Sequence, residues 1–517
     1  MSNICRNDRL MLSQGVGNRN QSFHGAFYLL IKYFACFAGV FMCLISSSCI
    51  DERFSTDPTL RLSFSHDTVS FDTIFTSIPS RTMRILVFNR HKEALNISSV
   101  RLLNGENSLF RYNLDGRVPP PSTVITDVAI SANDSLFLFI ETTLDASNDS
   151  LPVFFQDRLE FVVNGTPQQI ILESYGQNAV IFRSRSFDSN VSLTNHRPYL
   201  IFDYLHITEG HTLTIEAGAR LYFHKNAHLI VDGNLVVNGT QAQSVQMHCD
   251  RFDASPEGTP YIYMPNQWGN IYLQNPTGQH RIDHACIRGG NLGILLIGAA
   301  RSAPKLTITN SIIQNMGHFG IYAQGAQLSV ENSEIANCGY ACLNILGGST
   351  AVTQSTIANY FEFGSRNDAA VAIANVVTVD EMIYLYPVSS ATIENSIIFG
   401  NAKEELVLRR DSLTDALFNV SISQCLIKGK KNEASCFQNI LWSYEQNPVA
   451  GKQLADTVFI NTTISNLQTH GYYNFQLDPH SRARNVANAT VAARYPVDLS
   501  GKNRLADGMP DLGAYER

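Results

Sequence analysis

The sequence predicts an all-β chain, with a sandwich of short strands followed by a solenoid of parallel strands. Three observations carry that expectation. Short alternating runs separated by Asn-Gly and Asp-Gly turns fill the region before residue 180, with no helical period. A polar-x-x-Ile motif then recurs with a period of about 22 residues, the mark of a stacked repeat. Charged residues make up only 16% of the 517, while 42 Asn exceed the 38 Lys and Arg combined. Polar but uncharged turns are what a long β-structure needs. A hydrophobic content of 44% supports a sizeable core and excludes wholesale disorder. A formal net charge of −7 leaves no electrostatic footprint for a phosphate backbone, so no nucleic-acid partner is expected.

Positions 1–48 read as a signal peptide outside the fold, followed by a linker at 49–55. Arg6, Arg9, Arg19 and Lys32 precede an apolar stretch from Phe34 to Ile45, which ends in Ser46-Ser47-Ser48-Cys49. A basic leader, a short apolar segment and small residues before a cut site are the layout of a secretory signal. The stretch is short for a membrane span. Extended back to Ala26 it reaches about twenty residues, so an uncleaved anchor stays open. The site resembles a bacterial lipobox in which Cys49 is cut free and acylated, although Ser46 stands where such boxes usually carry Leu. Asp51 and Glu52 are similar to the acidic export signal of surface lipoproteins in Bacteroidetes-type bacteria. That resemblance implies a lipid anchor at Cys49, an outer-membrane address and exposure at the cell surface. Six cysteines follow Cys49, irregularly spaced, with only Cys338 and Cys342 close together. No metal-ligand spacing is present, so no metal is expected, and buried thiols and local bridges both stay open.

Residues 56–185 are expected to form an immunoglobulin-like sandwich. Leu60, Leu62 and Phe64 alternate with polar neighbours, and similar runs follow at 84–88, 135–141, 158–163 and 168–173. Asn104-Gly105, Asp115-Gly116 and Asn164-Gly165 punctuate them. Strands this short, at such intervals, suit two packed antiparallel sheets.

Residues 195–517 carry the repeat. Asn310-Ser-Ile-Ile, Asn332-Ser-Glu-Ile and Gln354-Ser-Thr-Ile follow one another at equal intervals, and further copies start at Asn395, Gln424 and Asn461. A degenerate copy starts at His284. A second strand signal follows most copies, as in Gly320-Ile-Tyr-Ala. One coil per repeat, stacked into continuous parallel sheets, accounts for that period. Asn tolerates the left-handed backbone of a sharp corner, and stacked amides can bond along the column. His284 falls in that column and is expected to end the ladder. The longer interval between Gln354 and Asn395 holds either an extra coil or inserted loops.

The segments Leu213-Thr-Ile-Glu-Ala-Gly218 and Leu229-Ile-Val-Asp-Gly-Asn-Leu-Val-Val-Asn-Gly239 resemble the opening coils of right-handed parallel β-helix proteins. Pro496-Val-Asp498 to Arg504, then Pro510-Asp511-Leu-Gly513-Ala-Tyr515-Glu516, resembles the closing segment of the same pectin-lyase-like group. With the lipobox and sandwich, the chain is similar to Bacteroidetes β-helix outer-surface lipoproteins. That resemblance implies architecture, since such solenoids host lyases, hydrolases, adhesins and spacers alike.

An enzyme needs a constellation. Lyase-type sites converge carboxylates on adjacent coils around calcium, yet Asp232, Asp250 and Asp283 do not recur at the coil period. Gly317-His318-Phe319-Gly320 lacks the paired Asp of a hydrolase, and no pair is nominated for inversion. The richest polar patch is His248, Asp250, Arg251, Arg281, Asp283, His284 and Arg288; Asp250, Arg251, Arg281, Asp283 and His284 are its candidate catalytic residues, against the stronger reading of a solvated, internally paired patch. Trp268, Arg288, His318 and Tyr322 are candidate ligand contacts; Trp268 could stack on a sugar through its aromatic face, but its place before the strand Ile271-Tyr272-Leu273 favours a core or cap residue. Two functions remain: a glycan-binding, adhesive or structural surface protein without catalysis, or a polysaccharide lyase or glycoside hydrolase. No cofactor is expected beyond calcium under the lyase reading. The expected partners are the membrane, through Cys49, and an extracellular polysaccharide or surface protein.

Overall fold

The computed structural model describes residues 53–119, 124–145, 152–298, 305–411, 417–443, 457–506 and 508–517. The signal segment and Cys49 lie outside them.

Nine strands between Ser63 and Gln177 form two sheets, of four and five strands, over one core. The alternation seen in the sequence is what fills it. Ile85 and Val87 of Met83–Phe88 face Leu136, Leu138 and Ile140 of Ser135–Thr142, all buried. Asn164 and Gly165 both take positive φ in the hairpin joining Val153–Val163 to Thr166–Gln177, as such tight turns demand. Among these strands, only the pairing of Thr68–Phe75 with Thr166–Gln177 is parallel.

The remainder is a parallel β-helix of 26 strands, in which each strand pairs in parallel with the strand about three further along. Three strands therefore make a coil, and the coils stack into three sheets. The first sheet includes Val245–Cys249, Ala285–Arg288, Ile312–Met316, Glu334–Cys338, Thr356–Asn359 and Ile397–Gly400. The second includes Ile271–Leu273, Ile294–Ile297, Ile321–Gln324, Leu343–Leu346 and Val371–Ala374. The third includes Gln279–Asp283, Lys305–Thr309, Gln327–Glu331, Gly348–Thr353 and Val388–Glu394. Inward positions are almost all Ile, Leu and Val and are buried, which gives one continuous core along the coils.

The repeat positions are the corners between the third and first sheets. His284, Asn310, Asn332, Gln354, Asn395 and Gln424 all have φ between 46° and 51°. Asn332 Nδ2 donates to Asn310 Oδ1 at 2.8 Å, and Asn310 Nδ2 donates to Asp283 Oδ1 at 3.0 Å. The ladder thus ends on the Asp283 carboxylate rather than on His284, whose Nδ1 lies 2.8 Å from the same oxygen without hydrogen-bond geometry. A second ladder runs beside it. The backbone N–H groups of Ala285, Ser311, Ser333 and Ser355 donate to the hydroxyls of Ser311, Ser333, Ser355 and Ser396 on successive coils. Each serine hydroxyl donates in turn to the carbonyl two positions back.

One open reading is settled and two expectations change. The coil after Gln354 is lengthened by insertions and no coil is added, because Thr356–Asn359 pairs directly with Ile397–Gly400. One insertion is pinned by a buried bidentate pair, Arg366 Nη2 to Glu405 Oε1 at 2.6 Å and Nη1 to Oε2 at 2.9 Å. The other is the hairpin Val376–Val379 with Met382–Leu385. The copy at Asn461 is not a coil. Thr463 caps the helix Ile464–His470 by accepting from Asn466 N, and Asn461 pairs antiparallel with Asn474. The solenoid also begins before residue 195, since Val180–Phe187 already pairs in parallel with Tyr199–Ile207.

Candidate functional site

The outward face of the first sheet is roofed by the chain itself. At its start, Tyr222 packs on Phe75 of the sandwich at 5.5 Å and on Phe252 at 5.1 Å. Arg81 of the sandwich reaches Asp253 at 2.9 Å, so an ion pair accompanies the aromatic contact. Further along, Tyr263, Ala336, Ile397 and Phe399 share a core with Leu467, Phe475, Leu512 and Tyr515 from the C-terminal segment.

Polar groups trapped under this roof satisfy one another. Arg288 Nε donates to Gln314 Oε1 at 3.1 Å, Gln314 Nε2 donates to Glu334 Oε1, and the Tyr515 hydroxyl donates to Glu334 Oε2 at 2.5 Å. Burial pushes the Glu334 carboxyl above its ordinary pKa. Arg504 is fully buried and donates to Asn332 Oδ1 at 2.5 Å and to the Ala514 carbonyl at 2.8 Å. Burial lowers its pKa to about 10 against the pull of Asp498, Glu516 and Asp511. Two of those acids accept backbone N–H groups of the closing segment: Lys502 and Glu516 on Asp498, Asn485 and Arg517 on Asp511. The charges of the closing motif are therefore spent on shape.

The sequence-derived catalytic candidates fall into two separate places. Asp250 and Arg251 leave the C-terminal end of the strand Val245–Cys249, where Asp250 Oδ2 lies 2.7 Å from His224 Nδ1. Arg251 Nη2 donates to Asp253 Oδ2 at 2.7 Å, and its guanidinium lies 3.3 Å from the centre of the Tyr261 ring. Arg281, Asp283 and His284 precede the N-terminal end of the neighbouring strand Ala285–Arg288, which is in register with Val245 to Met247. The two groups stand at opposite ends of the first sheet, roughly 16 Å apart for about five strand residues at about 3.3 Å each. That exceeds the ~6.5–9.5 Å of an inverting carboxylate pair. Arg281 Nη2 is held by Asp283 Oδ2 at 2.6 Å. The Asp283 pKa is lowered: burial opposes the shift, but hydrogen bonds from Asn310 and Thr309 and the charges of His284 and Arg281 outweigh it.

Of the candidate ligand contacts, Trp268 is 1% exposed, stacks on Phe223 at 4.4 Å inside the coils and donates Nε1–H to the Arg288 carbonyl. It has no face to offer. Arg288 is half-buried under Tyr263. His318 and Tyr322 do come together, through two residues not singled out in the sequence. His318 lies 5.0 Å from Tyr340, Tyr340 lies 5.4 Å from Phe319, and Phe319 lies 5.4 Å from Tyr322. Tyr340 is 43% exposed. The signal was available in Gly320-Ile321-Tyr322-Ala323. Gly320 stands just before that strand, where a Cβ would collide with the Cys342 carbonyl, and Tyr322 is the strand's first outward position. Among the described residues, no group of three or more His, Cys, Asp or Glu could hold a metal ion. The six described cysteines are free, five of them buried.

No family model matches the chain, and no curated protein matches it. Two solved structures are similar over limited segments. One is a family 123 glycoside hydrolase from Clostridium perfringens, with 11% identity over 24% of this chain and 31% of that one, at a TM-score of 0.17. The other is the periplasmic chaperone SfaE, with 10% identity over 22% of this chain and 57% of that one, at a TM-score of 0.15. Each match spans less than two thirds of either protein, and a likeness this slight carries no argument. The chain's own strands define it as a parallel β-helix protein.

Proposed function

We propose that the protein is a surface-exposed, lipid-anchored β-helix that binds glycans or serves adhesion and envelope structure without catalysis. One observation carries this reading. Glu334, Arg504, Asp498 and Asp511 are taken up in closing the first sheet, while Tyr340 of the aromatic cluster is 43% exposed. In this reading Cys49 holds the chain at the outer membrane. The sandwich is an immunoglobulin-like spacer, and the helix is right-handed, as parallel crossovers almost always are.

The test incubates the full-length protein in detergent with acidic and neutral polysaccharides and assays reducing and unsaturated ends. Retention of a polysaccharide without new ends is the expected result. Release of ends that is abolished by Asp283→Ala or Arg281→Ala would overturn it in favour of a polysaccharide lyase or glycoside hydrolase.

A further inference from the structure

The outward face of the second sheet has a pattern that the other two faces lack. Tyr272, Leu295, Tyr322, Asn344 and Ala372 are successive register partners, so they form a stripe up five coils. Strands are about 4.8 Å apart, which sets Tyr272 and Tyr322 roughly 10 Å apart along the stack. Each tyrosine is tied at its hydroxyl to an amide: Asn270 Nδ2 donates to Tyr272 at 2.7 Å, and Tyr322 donates to Gln324 Oε1 at 3.4 Å. Gln324 Nε2 donates in turn to the Tyr386 hydroxyl at 3.3 Å, at the foot of the projecting hairpin. Phe319 and Tyr340 flank the stripe at the adjoining corner.

Among the described residues, no outward position of this stripe from Tyr272 to Ala374 is charged. The third sheet, by contrast, presents Arg281, Asp283, Lys305, Glu331 and Glu394 outward. A face that is aromatic, amide-rich and uncharged excludes ligands that need a counter-charge. It suits flat rings with apolar faces and hydroxyl edges, since aromatic faces take the former and amides the latter.

We infer that the second sheet binds a linear, uncharged polysaccharide along the helix axis, with Tyr272, Tyr322 and Tyr340 under its sugar rings and Gln324 and Asn344 at its hydroxyls. This deepens the glycan-binding reading above, on which it rests. The test is affinity electrophoresis and calorimetry of the full-length protein in detergent. The probes are mixed-linkage β-glucan and galactomannan as neutral ligands, and polygalacturonate and alginate as acidic ones.

The expected result is binding to a neutral polysaccharide that is unchanged between low and high salt. Tyr322→Ala and Tyr340→Ala should each weaken it about three- to tenfold, as one lost aromatic contact would. Tyr322→Phe should keep most of the stacking, and a thermal melt should show all variants folded. Full affinity in the Tyr322→Ala/Tyr340→Ala double variant, or no retention of any neutral polysaccharide by the unaltered protein, would overturn the inference. Binding only to acidic polysaccharide and only at low salt would overturn it too, while leaving the non-catalytic reading intact. New chain ends would instead overturn the non-catalytic reading.

Discussion

The first and second sheets are built from the same coils, share one interior and differ in almost everything they turn outward. The first is covered along much of its length by the sandwich, the 252–265 loop and the C-terminal segment, and it holds Glu334, Arg504 and their partners out of water. The second presents half-buried tyrosines and amides, with Tyr340 at its corner 43% exposed. The difference teaches where to look for function in a solenoid. Perturbed titratable groups are often a guide to active sites, but here Glu334 and Arg504 are perturbed where the chain closes on itself. The shifts of these two groups report a seal.

The most direct way to break the comparison is to unseal the first sheet. Arg504 is fully buried, with Glu516 3.8 Å away and Asp498 and Asp511 nearby. Removing one partner of a buried charged set costs about 3–5 kcal/mol because it strands the others. Arg504→Met should therefore lower the unfolding free energy by about that amount in a denaturant titration. Limited proteolysis should also release fragments from residues 457–517. An unchanged denaturation midpoint would mean that the closing segment is held by its apolar contacts alone.

The same contrast explains what the sequence makes legible. The corners can be read because left-handed backbone selects a residue type, and the coil length repeats that selection at Asn310, Asn332 and Gln354. Sites are harder. Nothing in the separation of Asp250 from Asp283 along the chain says that they flank opposite ends of one sheet. Trp268 leaves two readings open, a core residue and a ligand platform, because a sequence does not say which way one aromatic in an irregular loop turns; the favoured core reading is the one the coils hold. The first coil escapes the pattern because no coil lies below Val180–Phe187, so its residues are mostly exposed and the inward-outward alternation is lost. The copy at Asn461 misleads because the capping hydroxyl of Thr463 wins over the corner it imitates.

Acid should weaken the interior from a third direction. His280 points into the coils, 3% exposed, with Nδ1 accepting from Leu235 N and Nε2 unpartnered. Burial lowers its pKa from 6.5 to about 4. The unfolded chain thus binds the proton first, and stability is lost as pH falls from about 6.5 towards 4. The loss is on the order of 3 kcal/mol for one such residue. Glu334 opposes it, because a carboxyl with a raised pKa favours the folded state as pH falls. His280→Gln keeps an acceptor for Leu235 N and cannot titrate, so it should make the acid limb of a stability–pH curve less steep, leaving the share of His248, whose pKa burial also lowers to about 4. A slope identical to that of the unaltered protein would assign acid sensitivity elsewhere.

A smaller effect is expected at the shared corner. Asn332 donates to Asn310 and to the Val497 carbonyl, and accepts from Arg504, while holding a φ of 46°. Asn332→Ala loses three hydrogen bonds and the residue type that tolerates this backbone, for about 2 kcal/mol. Asn332→Gly would recover the backbone share but not the bonds. If the two substitutions cost the same, the corner is held by its hydrogen bonds rather than by its backbone.

The smallest effect belongs to the second sheet, and it is the sharpest test of the contrast. Tyr340 is 43% exposed and, among the described residues, its ring contacts are His318 and Phe319. A surface substitution outside any network typically moves stability by no more than about 0.5 kcal/mol. Tyr340→Ala should therefore leave the denaturation midpoint where it was, in the same assay that registers Arg504→Met as a collapse of the closing segment. A loss of about 3 kcal/mol, on the scale of truncating a buried aromatic, would show that the tyrosine cluster is packing. The second sheet would then be no freer for a ligand than the first.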